Sequence, residues 1–85
     1  MNKKLGSVEQ GNRIRFLREK IGLSRPQFHK KTGISASTLR ALELGEIKLS
    51  SSKALLLSHL FILLFKLSPD EASAEVILYG KKKKK

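Results

Sequence analysis

Arg25, Lys30, Lys31, Ser37 and Arg40 fall on the predicted outer faces of two short, consecutive helical segments. Four cations and a hydroxyl in one region donate hydrogen bonds to a negatively charged, acceptor-rich partner. Covalent chemistry has no comparable set. The chain contains no cysteine, which excludes disulfides and thiolate metal sites. Its only histidines, His29 and His59, lie on separate predicted helices with no acidic neighbour indicated, so no metal site is expected. The patterns GxSxG, GxxxxGK[ST] and HExxH do not occur. An enzyme is therefore the weakest reading, and no cofactor or small-molecule substrate is implied.

The charge balance supports a binding role. Lysine and arginine total 18 against 7 acidic residues, a formal charge of +11. Without Lys81–Lys85 the charge is still +6, and residues 1–50 alone carry +7. Such an excess favours nucleic acid first and an anionic membrane surface second, beside the plain alternative of a soluble basic protein. At 85 residues there is room for one domain. Residues 1–6 are expected to be a flexible segment, too short and polar for a secretory signal. Residues 7–80 form the domain. The Lys81–Lys85 run is low-complexity and expected to be disordered, an added tag being one origin. The apolar run Ala54–Phe65 is shorter than the roughly 20 residues a bilayer span requires, so it reads as a buried helix.

Serines and glycines punctuate five predicted helices. Ser7 to Gln10 and Ser24 to Gln27 fit capping boxes, in which a serine hydroxyl accepts from the third helical amide and the glutamine reaches back. Helix 1 is predicted over Val8–Ile21, stopped by Gly22. Helix 2 spans Arg25–Thr32, with Pro26 tolerated in the first turn and Leu23 stapled to Phe28. Ser35 opens helix 3, Leu39 and Leu42 face inward, and Gly45 closes it. Helix 4 is predicted over Ser51–Phe65, and helix 5 from Ser68–Pro69 to Tyr79 before Gly80. No strand or hairpin signal appears. Two short helices joined through Gly33–Ile34–Ser35 read as a helix-turn-helix, and with the charge this points to duplex DNA. RNA is less favoured, because no exposed aromatic platform is evident.

Residues 12–80 resemble the Cro/CI-type (XRE) family of phage and bacterial repressors. The resemblance rests on Arg13–Ile14–Arg15–Phe16–Leu17–Arg18, Gly22–Leu23–Ser24, Gly33–Ile34–Ser35 and Leu39–Arg40–Ala41–Leu42–Glu43–Leu44–Gly45. Leu67–Ser68–Pro69 and Leu78–Tyr79–Gly80 are similar to the close of many members. It implies an all-α, compact five-helix bundle of the lambda-repressor-like type. It also implies a cytoplasmic, sequence-specific transcriptional regulator acting as a homodimer on a palindromic operator. By position, Ala36, Ser37, Thr38, Arg40 and Ala41 would meet base edges, Arg40 being suited to guanine. Arg13, Ser24, Arg25, Gln27, Ser35 and Lys48 would meet phosphates, Arg25 standing where the family commonly has glutamine. Arg18 and Glu43 match a family ion pair. His29 replaces the usual alanine and must point outward or widen the inter-helix angle. Thr32 replaces a larger aliphatic residue.

On a wheel of 100° per residue, Ala54, Leu57, Ser58, Phe61 and Phe65 of helix 4 share the core side. Leu56, Leu60, Leu63 and Leu64 gather on another, where a surface helix should be polar. With Ile77 and Tyr79 of helix 5 they are expected to form a homodimer interface, unless helix 5 folds over them. Two other readings stay open. One is an antitoxin or other protein-interaction module with DNA-binding autoregulation. The other is a basic helical protein at a membrane surface.

Overall fold

The computed structural model describes residues 8–80. The expectations for residues 1–6, for Ser7 as a cap and for Lys81–Lys85 lie outside them. Helices α1 (Val8–Lys20), α2 (Arg25–Thr32) and α3 (Ala36–Glu43) are followed by α4 (Ser51–His59), which runs directly into a π-helical turn, Leu60–Leu64. Two short helices, α5 (Pro69–Ala72) and α6 (Ala74–Tyr79), complete the described chain, which contains no strand. The result is the expected all-α bundle of five helices, with the fifth delivered in two pieces.

Serine starts most of these helices. Ser24, Ser35, Ser50 and Ser73 are all extended, and each hydroxyl accepts the amide of the residue three positions on. Each cap removes one of the amides a helix leaves unpaired at its start. Ser68 precedes α5 in the same extended conformation, but its hydroxyl makes no such bond.

Ser73 corrects the prediction of one continuous fifth helix. Ala72 and Ile77 are both fully enclosed in the core. In an unbroken α-helix, residues five apart point roughly 140° away from each other, so one helix could not bury both equally well. The extended Ser73 re-aims the chain, and α6 then buries Val76 and Ile77. Ile77 is therefore a core residue, not part of an exposed interface. Leu60, also expected outside, is half-buried against the same core.

The second correction is the end of α4. In an α-helix, residues four apart drift by about 40°, so Phe65 would stand well round from Leu57. The wider π turn reverses that drift. Phe61 and Phe65 both reach Phe28 of α2, with ring centroids 5.7 and 5.9 Å away. The α-helical geometry behind a 100° wheel ends at His59, yet of the residues it placed beyond that point Leu60 alone is moved inward. Ala54, Leu57, Ser58 and Phe61 are buried as expected, and Leu56, Leu63 and Leu64 are exposed, joined by Leu55.

Phe28, Phe61, Ile14, Leu17, Leu39, Leu57 and Ile77 form the centre, where α4 lies on α6 and α1 lies on both α3 and α6. Polar side chains tie the pieces. Gln10 Nε2 donates to the Leu78 carbonyl at 2.6 Å. Lys20 pairs with Glu71. At the far end Gly80 lies against α1: a Cβ there would fall 2.6 Å from the Glu9 carbonyl carbon.

Gly11 allows a close approach of α1 to the end of α3. A Cβ at this position would sit 2.2 Å from the Glu43 carbonyl oxygen and 2.7 Å from that of Leu42. Neither acceptor belongs to a flexible side chain, so α1 and α3 would have to separate. Alanine improves helix propensity by up to about 1 kcal/mol, whereas forced overpacking costs about 1–3 kcal/mol, and a clash with two backbone carbonyls stands at the upper end. The steric term wins: Gly11→Ala is expected to lower the urea midpoint markedly, and an unchanged midpoint would refute this contact.

Candidate nucleic-acid interface

The pair α2–α3 is joined by three residues, each with a defined task. Gly33 adopts φ +83°, a left-handed conformation that side chains disfavour, and its amide donates to the His29 carbonyl at 2.8 Å. Thr32 Oγ1 donates to the Phe28 carbonyl at 2.8 Å and accepts the Ile34 amide at 3.1 Å. Thr32, standing where the resemblance has a larger aliphatic residue, thus closes the turn. Ile34 is buried beneath it. Ser35 Oγ accepts the Thr38 amide at 3.1 Å and donates to Thr38 Oγ1 at 2.8 Å, so its hydroxyl is used to start α3. His29 is exposed and points outward, leaving the contact between the helices undisturbed.

Leu39 and Leu42 lock one side of α3 into the core. The opposite side presents Ser37 and Arg40 to solvent, between half-buried Ala36, Thr38 and Ala41. The Arg40 guanidinium makes no ion pair or hydrogen bond among the described residues. One long cation therefore projects from a helix face otherwise lined by methyl and hydroxyl groups.

The expected phosphate donors divide into two groups. Ser24 and Gln27 lie exposed at the start of α2 in a complete capping box: Ser24 Oγ accepts the Gln27 amide at 3.2 Å, and Gln27 Oε1 accepts the Ser24 amide at 2.9 Å. Lys48 is exposed in the loop after α3 and unpaired among the described residues. Arg13 and Arg25 are instead turned into the fold. Arg13 donates to the Glu71 carbonyl from Nε (3.3 Å) and Nη2 (2.9 Å), closing the end of α5, while its guanidinium stands 4.8 Å over the Phe16 ring. Arg25 donates to the Glu43 carboxylate from both Nε (3.1 Å) and Nη2 (2.9 Å).

Glu43 is the hub of this region. Its carboxylate is 1% exposed and receives Arg18 in a two-point grip, Nε to Oε2 at 2.6 Å and Nη2 to Oε1 at 3.1 Å. The remaining nitrogen of Arg18 donates to the Leu23 carbonyl at 2.8 Å. The hydrogen bonds to Glu43 raise the Arg18 pKa, burial opposes that shift, and the attraction of the carboxylate adds to it. A raised pKa gives stability that is complete below the unfolded value and lost only as pH climbs through the folded one. Across neutral pH the pair is therefore constant. The Arg18–Glu43 pair was legible from the resemblance; the arrival of Arg25 was not. Topology does not dictate it, since the first residue of α2 and the last of α3 are the free ends of the pair, and the long Arg25 side chain is what brings them into contact.

Removing the carboxylate charge would strand two guanidiniums, one of them buried. Breaking a buried pair from one side costs about 3–5 kcal/mol. Glu43→Gln is expected to lose that order of stability in denaturant titration, with no recovery between pH 6 and 9. A loss no larger than that of an exposed pair such as Arg15–Glu19 would contradict the buried hub.

Comparison with known proteins gives a match to the helix-turn-helix family over residues 14–63. No curated protein and no solved structure matches the chain. The matched span takes in most of α1, the whole of α2, the turn and α3, the Glu43 hub, and α4 with most of its π turn. It covers more than half the chain, and the structure folds that span around an outward-facing α3. The protein belongs to the Cro/CI-type helix-turn-helix family of DNA-binding regulators.

Proposed function

We propose that the protein is a cytoplasmic transcriptional repressor that binds a palindromic operator as a homodimer, with α3 in the major groove. The observation that carries this reading is Arg40, free and exposed on α3 between small neighbours. A guanidinium offers two parallel donors that match O6 and N7 of guanine, a contact worth about 1–3 kcal/mol of discrimination. Ala36 and Ala41 leave room for the thymine methyl group, and Ser37 and Thr38 supply hydroxyls for bases or phosphates. Ser24, Gln27 and Lys48 are the phosphate anchors, holding the start of α2 and the loop after α3 against the backbone. Ser35 contributes by shaping the first turn of α3.

Exposed apolar residues on α4 and its π turn support the homodimer. Leu55, Leu56, Leu63 and Leu64 are between 43% and 67% exposed, and Tyr79 of α6 is 56% exposed. An apolar group of this kind on a small basic domain favours association. A two-fold pair would offer two copies of α3 to half-sites about 34 Å apart, one turn of B-DNA.

Two measurements test the reading. Selection from random duplexes, using protein without Lys81–Lys85, should yield a symmetric consensus with a dominant guanine in each half. Arg40→Ala should reduce discrimination at that guanine about tenfold; unaltered specificity removes Arg40 as the reader. In sedimentation at micromolar concentration the parent should run as a dimer, and Leu56→Glu with Leu63→Glu as a monomer. A monomeric parent would remove both the dimer and the palindrome.

A further inference from the structure

We infer that Arg25 is a positioning residue for base reading: it pins the start of α2 to the end of α3 and so sets the angle at which Arg40 is presented. The inference rests on the reading of α3 given above. A pair of helices joined by a short turn is held at one end only. Here the turn end is fixed by Thr32, Gly33 and Ile34. Arg18 anchors Glu43, at the end of α3, to α1. Arg18 also reaches the Leu23 carbonyl, two residues before α2, but it makes no bond to a residue of α2 itself. Arg25 supplies that closure, because it is the first residue of α2 and grips the last residue of α3.

The chemistry favours this role over a simple attraction for phosphate. Glu43 Oε1 accepts one N–H from Arg18 and two from Arg25. The carboxylate is almost wholly buried while the Arg25 side chain is 30% exposed, so Arg25 closes the hub from its solvent edge. Donors bonded to a buried carboxylate are withheld from a phosphate. Two guanidiniums on one carboxylate also leave one positive charge in excess beside Ser24 and Gln27. Arg25 therefore joins two functions: it fixes the distance from the anchoring end of α2 to the reading face of α3, and it leaves that anchoring end positive.

The test compares Arg25→Ala and Arg25→Lys with the parent on the selected duplex and on random duplexes, over a range of salt. Circular dichroism and thermal melting would confirm that each variant is folded at the assay temperature. For Arg25→Ala, discrimination should fall roughly tenfold, the scale of one lost base contact. Lysine keeps the charge but loses the two-donor grip. Arg25→Lys should thus recover the attraction for random duplexes while discrimination stays several-fold below the parent. In DNA-free protein, the amide resonances of Ser37–Ala41 should move in Arg25→Ala, and those of α6 should not. Equal losses on selected and random duplexes, full recovery of discrimination by lysine, or unmoved α3 resonances would each overturn the inference. If the parent itself prefers no duplex, the functional reading fails, while the resonances of the free protein still decide whether Arg25 positions α3.

Discussion

The arrangement of the first three helices depends on one buried negative charge. Glu43 ends α3, Arg18 comes from α1 and Arg25 from α2, and all three meet at a single carboxylate. Isolating such a charge would be prohibitive, and a single partner would join only two helices. With two guanidiniums and a two-point grip, the interaction becomes directional: it fixes where each helix begins or ends relative to the others. Hydrophobic burial beneath it, by Ile14, Leu17, Leu39 and Leu42, supplies most of the driving force but little of that orientation. Gly11 lets α1 come close enough for the hub to form, since its missing side chain leaves space for the Leu42 and Glu43 carbonyls.

The parts legible in the sequence are those specified locally. The limits of α2 coincide with its predicted span because Ser24, Pro26 and Gly33 act within a few residues of themselves. The outward position of Arg40 followed from the spacing of Leu39 and Leu42. What escaped is what distant segments impose. The break at Ser73 arises because Ala72 and Ile77 must face the same core, a requirement of the bundle that α5 and α6 do not announce alone. The π turn exists beside Phe28, some thirty residues earlier in the chain. Arg13 and Arg25 illustrate the same limit. Their type suggests phosphate contacts, whereas in the structure the Glu71 carbonyl and the buried Glu43 carboxylate each engage two of their donors.

Charge is consequently divided by task. Arginines that hold the fold together lie at helix junctions and are partly buried, whereas Arg40, Lys30, Lys31 and Lys48 face water. A basic composition alone would rank all of these as equivalent ligands for an anion. Structure separates those partly engaged within the fold from those wholly available, and the latter include both the sole long side chain on the outer face of α3 and the cation of the following loop.

Gly80 rests on the first turns of α1, close to Glu9. The two ends of the described span thus meet on one side of the bundle, away from α3 in chain order. A short flexible peptide could bridge them, and the polypeptide could be opened in the exposed Glu46–Lys48 loop instead. In such a circularly permuted molecule the helix-turn-helix would become the final portion of the chain, with its three-helix carboxylate junction still formed from the same residues.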